Sequence, residues 1–215
     1  MLPLRDRLPT RTIPVVNYLL IAANVLAFIW ERALVAVGNP AELVVRHYGL
    51  VPFELVHAPG REAWTVFSSM FLHDPTGWAH IGGNMLFLWI FGDNLENRVG
   101  HIRFAIFYVI CGIAAAFGQI VMGPDSIIPM LGASGAISGV LGGYVLLFPT
   151  NRVRVIMFRF MMQTVPAWIA LGLWIAMQVV LGYLAPSGGG GVAYAAHIGG
   201  FLAGFALIKI FTIGR

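Results

Sequence analysis

Six runs of apolar residues, each long enough to cross a bilayer as a helix, constrain the fold of this chain more than any other feature. They cover residues 13–30, 78–95, 104–122, 131–148, 165–184 and 192–213. About 20 helical residues cross the roughly 30 Å of hydrocarbon in a membrane. An open backbone in lipid would leave its amides unpaired, so every run is predicted to be helical. We therefore expect one all-α membrane domain, residues 1–215, built as a bundle of six transmembrane helices.

The composition agrees with a multi-pass integral membrane protein. Hydrophobic residues make up 59% of the chain and charged residues only 10%, whereas soluble domains carry about 25% charged residues. The 13 basic residues are scattered between apolar runs and form no continuous basic face, so the expected surroundings are a lipid bilayer and not nucleic acid. The single cysteine, Cys111, excludes an intrachain disulfide. A bacterial inner membrane is the expected location.

The distribution of basic residues predicts the orientation of the chain. In an alternating path that starts inside, ten basic residues face the cytoplasm and three face outside. The inner set is Arg5, Arg7, Arg11, Arg98, Arg103, Arg152, Arg154, Arg159, Lys209 and Arg215, and the outer set is Arg32, Arg46 and Arg61. Because cytoplasmic loops are enriched in Lys and Arg, both termini are predicted to be cytoplasmic. Residues 1–12 are then a cytoplasmic segment and residues 33–77 a long external loop.

A serine and a histidine lie near the outer ends of two of these runs. Ser134 heads the fourth run, and His197 lies about one and a half turns into the sixth. Polar residues at membrane depth are costly and are functional candidates by default. A hydroxyl and an imidazole can together form a nucleophile and its base. No Asp or Glu occurs in runs four to six, so we predict a Ser-His dyad without a carboxylate.

The second run adds two hydrogen-bonding side chains at a similar depth. His80 and Asn84 are four residues apart, which places them on one helix face. Donors arranged around an oxyanion are worth roughly 3 to 4 kcal/mol each in a hydrolytic transition state, and we predict this role for both residues. His80 could instead ligate a metal, but no second ligand shares its helix face, so no metal site is predicted.

The set of polar residues and glycines resembles the rhomboid intramembrane serine proteases over nearly the whole chain. The matching residues are Gly132-Ala133-Ser134-Gly135, His80 with Asn84, His197-Ile198-Gly199-Gly200 with Gly204, Trp64 and His73 in the external loop, and Gly92-Asp93-Asn94-Leu95-Glu96 with Gly100. Two positions depart from the family pattern. Thr65 replaces the arginine of a Trp-Arg pair, and Ser138 stands where some members have a tyrosine against the histidine.

The resemblance implies that the chain cleaves single-span membrane proteins in or near their membrane segments. Ser134 would be the nucleophile and His197 the general base and acid, and the oxyanion would bind to His80, Asn84 and the Ser134 amide. No cofactor is implied. Two alternatives remain: a catalytically silent rhomboid-like protein that binds membrane clients, and a channel or carrier. The latter would predict ionisable residues throughout the membrane thickness or an internal repeat.

Glycines supply two further predictions. Gly135 and Gly139, like Gly200 and Gly204, have the four-residue spacing that allows helix backbones to approach closely, so we expect the fourth and sixth helices to pack together. Four consecutive glycines in residues 186–191 predict a mobile connection above the site, which we expect to act as a lid.

Overall fold

The computed structural model of this chain describes residues 2–156, 161–184 and 193–214. Every predicted apolar run coincides with a helix whose ends differ from the expected ones by a few residues. These helices are α1 (Val15–Ala36), α6 (Ala79–Val99), α7 (His101–Met122), α8 (Ser134–Leu147), α9 (Ala167–Leu184) and α10 (Tyr194–Phe211). The predicted lid at 186–191 lies outside the described residues, as do Arg159 and Arg215.

The bundle presents the surface expected of a multi-span membrane protein. By length and apolar composition, α1, α7, α9 and α10 are able to cross a membrane, and α8 is a shorter apolar helix. Large apolar side chains such as Phe117, Leu184 and Leu202 point outward from the bundle and are more than half exposed. An exposed apolar surface of this extent indicates contact with lipid.

The prediction of an all-α fold is wrong at the end of the bundle that carries the N-terminus. Three antiparallel strands form a sheet there, in the order β1 (Leu2–Asp6), β2 (Arg152–Ile156) and β3 (Met162–Pro166). Valine and arginine alternate along β2, which buries Val153 and Val155 and exposes Arg152 and Arg154. This period of two is the signature of a half-buried strand. The predicted start of the fifth helix at residue 165 consequently moves to Ala167.

Acceptor side chains at the end of α6 attach the N-terminal segment to the bundle. The Glu96 carboxylate accepts hydrogen bonds from the backbone N–H groups of Val16 (3.0 Å) and Asn17 (2.6 Å). The Asn97 Oδ1 accepts from the backbone N–H of Thr12 at 2.7 Å. The first N–H groups of a helix have no partner within it. The Glu96 carboxylate supplies their acceptors at the start of α1, where a negative charge interacts favourably with the helix dipole.

The segment that connects α1 to α6 is compact and mostly helical. It contains α2 (Ala41–Tyr48), α3 (Pro52–His57), α4 (Pro59–Glu62) and α5 (Thr65–Ser68). Two backbone hydrogen bonds between Leu50 and Met130 join this segment to the loop before α8. A third bond, from the Gly132 N–H to the Ser69 carbonyl at 2.8 Å, joins it to the turn that precedes Ser134. The segment therefore supports the entrance to α8.

Close contact between α8 and α10 confirms the predicted role of the paired glycines. A methyl group added to Gly200 would lie 2.0 Å from the Gly135 carbonyl oxygen, and one added to Gly204 would lie 1.9 Å from that of Gly139. Both distances are far below van der Waals contact, so only glycine allows the two backbones to approach this closely. This packing holds the first turns of α8 and α10 side by side, and those turns carry Ser134 and His197.

Candidate active site

Ser134 and His197 are hydrogen-bonded to each other. Ser134 is the first residue of α8, and its Oγ lies 2.8 Å from Nε2 of His197. Only 8% of His197 is exposed, and Ser134 is half-buried. The structure thus brings together the two side chains that were predicted to meet, at the distance required for proton transfer from the hydroxyl to the ring.

Gln178 of α9 holds the other nitrogen of the histidine ring, a residue that the sequence analysis missed. Its Oε1 lies 2.7 Å from His197 Nδ1, and only 6% of the side chain is exposed. The Trp174 ring, one turn away, lies 5.8 Å from the imidazole centroid to centroid. A glutamine carbonyl accepts the Nδ1 hydrogen, which leaves the Nε2 lone pair directed at Ser134.

This contact orients the His197 ring in a chain that has Ser138 where some family members have a tyrosine against the histidine. The signal in the sequence was Gln178 itself, since it is the only strongly polar side chain in an otherwise apolar helix. It is also the only buried residue of α9 between positions 172 and 184.

His80 lies next to Gly132, a glycine just before Ser134 with a special backbone conformation. A methyl group on Gly132 would lie 3.0 Å from His80 Nε2 and 3.4 Å from Ser134 Oγ, so both atoms border the same glycine. Gly132 has φ +118°, in the region that favours glycine. Among the described residues, no cluster of three or more His, Cys, Asp or Glu side chains is placed to hold a metal ion.

Asn84 is linked to His80 through His73 of the connecting segment. Asn84 Nδ2 lies 2.9 Å from His73 Nε2, and the His73 and His80 rings meet edge to face at 5.0 Å. The Phe71 carbonyl lies 3.2 Å from His73 Nδ1, so a neutral ring with its hydrogen on Nδ1 satisfies both contacts. Asn84 then donates one amide hydrogen to His73 and keeps its second one for another acceptor.

The backbone of His73 is fixed from α1. Its N–H donates to the carboxylate of Glu31, with N···O distances of 3.0 and 3.3 Å. The first apolar run was predicted to end at residue 30, but α1 continues to Ala36 and the Glu31 side chain is fully buried. Glu31, His73 and Asn84 therefore form one hydrogen-bonded chain, and the His73 ring in turn contacts His80, which borders Gly132.

Burial of His73 predicts a loss of stability in acid. Burial, together with the nearby His80, lowers the pKa of His73 from 6.5 to about 4. Below pH 6.5 the His73 ring is protonated in the unfolded chain but stays neutral in the folded protein. The free energy of unfolding therefore falls as the pH drops from 6.5 towards 4. The expected cost at pH 5 is about 2 kcal/mol. Thermal unfolding in detergent at pH 7.5 and pH 5 should show a smaller decrease in His73→Gln than in wild type.

The matched control for this prediction is His57→Gln, because His57 is exposed on the same connecting segment. It should show the full wild-type decrease between the two pH values. An equal decrease in His73→Gln and wild type would contradict the assignment of the acid sensitivity to His73.

The two departures from the rhomboid pattern have local hydrogen bonds of their own. Ser138 donates to the Ser134 carbonyl at 2.6 Å, one turn below the nucleophile candidate. Thr65 is buried, and its hydroxyl donates to the Glu62 carbonyl at 2.7 Å. The connecting segment is also held by Arg32, whose guanidinium donates to the Pro75 carbonyl at 2.9 Å.

Comparison with known sequences agrees with this architecture. Fold and site describe a helical membrane protein with a serine–histidine pair near one end of its bundle. The family model described as Rhomboid domain matches residues 60–213. The chain therefore belongs to the Rhomboid family.

Several curated proteins are similar to the chain. RHOMBOID-like protein 5 of Arabidopsis thaliana is 32% identical over 169 residues, covering 79% of this chain and 50% of that protein. Rhomboid protease GluP of Bacillus subtilis is 31% identical over 193 residues, covering 89% and 34%. Rhomboid protein 1, mitochondrial, of Saccharomyces cerevisiae is 33% identical over 149 residues, covering 65% and 39%. The chain thus spans between a third and a half of the length of these relatives.

Proposed function

We propose that this protein is an intramembrane serine endopeptidase that cleaves single-span membrane proteins in or near their membrane segments. The observation that carries this proposal is the 2.8 Å contact between Ser134 Oγ and His197 Nε2. Membership of the Rhomboid family and similarity to a relative named as a protease support it. A protein that only binds membrane clients would not require a buried base hydrogen-bonded to a serine hydroxyl.

Gln178 and His197 act in sequence to activate the nucleophile. The Nδ1–H of His197 donates to Gln178, which fixes the tautomer and leaves Nε2 free to accept the Ser134 proton. Ser134 Oγ then bonds to the carbonyl carbon of the substrate while its proton moves to Nε2. The tetrahedral intermediate collapses when Nε2 returns that proton to the leaving amine, and water hydrolyses the resulting ester by the same steps.

The oxyanion forms between α6 and the start of α8. His80 Nε2 lies beside Gly132, the second amide hydrogen of Asn84 has no protein acceptor among the described contacts, and the Ser134 N–H lies in the first turn of α8. The N–H groups of a first helical turn are unpaired and lie at the positive end of the helix dipole. His80 is assigned to the oxyanion because its Nε2 borders the same glycine as Ser134 Oγ, and Asn84 because it lies one turn further along the same face of α6.

The proposed topology has six membrane-spanning helices, with both termini in the cytoplasm and the site opening to the external side. The basic residues at the ends of the helices support this orientation. The short α8 needs to reach only part of the way through the bilayer, which leaves Ser134 below an aqueous entrance. The proposed location is a bacterial inner membrane. Substrates with helix-breaking residues near the cut are expected, because a peptide must unwind to present its carbonyl.

The test is cleavage of a tagged single-span substrate by the purified full chain in liposomes. Cleavage at one position in or near the membrane segment is the expected result. A protein that binds this substrate and leaves it intact over many hours would be a silent relative, and the proposed function would be wrong.

Loss of the Gln178 carbonyl is expected to reduce turnover without weakening substrate binding. A buried donor left without a partner costs about 1 to 3 kcal/mol, so Gln178→Leu should lower kcat roughly five- to hundredfold and leave KM nearly unchanged. Gln178→Glu should retain most of the activity, because its carboxylate accepts the same Nδ1 hydrogen. Steady-state cleavage kinetics in detergent provide the measurement.

The control for the Gln178 variants is the same exchange at Gln163, which is exposed on β3. Gln163→Leu should leave kcat unchanged. A Gln178→Leu protein with wild-type kcat would show that the hydrogen bond to His197 does not position the base.

A further inference from the structure

A groove lies between the N-terminal segment and α6, and none of its lining residues belongs to the site around Ser134. It has a volume of about 420 Å³ and runs along residues 4–10 on one side and along Trp89, Ile90 and Asp93 on the other. Arg5 and Arg7 line it and are exposed. The proposed proteolytic reaction makes no use of this groove.

The carboxylates that border the groove already have hydrogen-bond partners. Asp6 accepts hydrogen bonds from Asn94, at 2.9 Å, and from the Tyr144 hydroxyl. Asp93 accepts from the Thr10 hydroxyl at 3.2 Å and from the Asn94 N–H at 2.6 Å. Both acidic groups are therefore committed to attaching the N-terminal segment to the bundle.

The guanidinium groups of the groove have no such partners in the part of the chain that the structure describes. Neither Arg5 nor Arg7 forms an ion pair there. Arg5 also stands directly opposite Arg154 in the pairing of β1 with β2. Like charges opposite each other destabilise a sheet, so an anion at this place would relieve the repulsion.

Aromatic rings place the groove at the level of the lipid headgroups. The Trp89 ring stacks on Tyr18 of α1 with the centroids 5.4 Å apart. Trp89 is 57% exposed near the middle of α6, whereas Tyr18 is 42% exposed in the first turn of α1. An exposed Tyr side chain at a helix end is typical of the boundary between hydrocarbon and water, so Tyr18 gives the level of the groove. The arginines beside Trp89 are thus within reach of phosphate groups in the adjacent leaflet.

We infer that this groove binds the phosphate headgroup of an anionic phospholipid, with Arg5 and Arg7 as the phosphate ligands and Trp89 against the glycerol and upper acyl region. Arginine suits this role because its planar fork of donors matches phosphate oxygens. Basic pockets at the cytoplasmic ends of transmembrane helices bind such headgroups. The site does not depend on protease activity, and the proposed orientation places it in the cytoplasmic leaflet.

The experiment is native mass spectrometry of the delipidated full chain, titrated separately with phosphatidylglycerol, phosphatidylcholine and inorganic phosphate. Phosphatidylglycerol should bind at least about tenfold more tightly than phosphatidylcholine. The Arg5→Gln/Arg7→Gln protein should lose roughly tenfold of that affinity. Arg7→Gln alone, which leaves β1 untouched, should lose a smaller part. This single variant keeps the test valid if the double variant does not fold.

Arg11→Gln is the matched control, because Arg11 is exposed in the same segment and does not line the groove. Its affinity should stay within about twofold of wild type. An equal loss of affinity in Arg11→Gln would show that the lipid is attracted by the basic charge of the whole segment, and it would overturn the proposal. Unchanged binding in Arg7→Gln and in the double variant would also overturn it. Equal binding of the two lipids would also overturn it. Binding of inorganic phosphate that disappears in the same variants would identify a soluble-anion site and overturn the assignment to lipid.

Discussion

Substitution of Ser134 by alanine is expected to reduce cleavage of a single-span substrate by about 10⁴-fold or more, which is below the detection limit of most assays. The hydroxyl of this side chain is hydrogen-bonded to His197, and its removal leaves the proposed base with no hydroxyl to activate. The substitution removes one oxygen from a half-buried position, so folding and substrate binding should persist. Gel-based cleavage in liposomes and co-purification of the uncleaved substrate measure the two properties.

The matched control for this prediction is Ser138→Ala, the same change one turn further along α8. It removes a hydrogen bond to the Ser134 carbonyl and leaves the nucleophile in place, so cleavage should remain within about tenfold of wild type. If Ser134→Ala retained measurable turnover at the same peptide bond, another group would have to be the nucleophile.

Replacement of His197 by alanine is expected to have an effect as large as that of Ser134→Ala. Without the ring, the serine proton has no acceptor, and the leaving amine has no donor. The control is His57→Ala, which removes an exposed imidazole from the connecting segment and should leave cleavage intact. Rates are compared under the conditions used for the serine variant.

The double variant Ser134→Ala/His197→Ala distinguishes a working pair from two independent contributions. Residues that act as a unit show grossly non-additive effects, so the double variant should be no more than slightly slower than either single one. If the rate loss of the double variant equalled the product of the two single losses, the result would contradict a dyad and would assign the residues to separate steps.

The hydrogen-bonded pair of Ser134 and His197 could be predicted from the sequence because several independent features point to it. Ser134 and His197 are each unusual at membrane depth, and the paired glycines at 135, 139, 200 and 204 require the helices that carry them to touch. The same reasoning found His80 and Asn84 from their spacing on one helix. The structure places His80 beside Gly132 and bonds Asn84 to His73, and the part of these two residues in binding the oxyanion stays a prediction.

Other parts of the site depend on contacts between distant segments and had weak signals. Gln178 meets His197 only because α9 packs against α10, and helix periodicity alone does not reveal this neighbour. In the sequence, Glu31 has the appearance of a polar residue that ends a helix. Only the fold brings the His73 N–H to its carboxylate. The sheet was missed because each strand has only five residues, too few for the alternation of Val153 and Val155 to stand out from the apolar runs around it.

The most direct test of the serine–histidine pair is labelling of the purified chain with a fluorophosphonate, followed by mapping of the modified residue by mass spectrometry. Such a probe bonds to a serine only when a base has activated its hydroxyl. We predict a single adduct on Ser134, present in wild type and in His57→Ala and absent from His197→Ala. An adduct on another residue, or undiminished labelling of Ser134 in the absence of the His197 ring, would contradict this account.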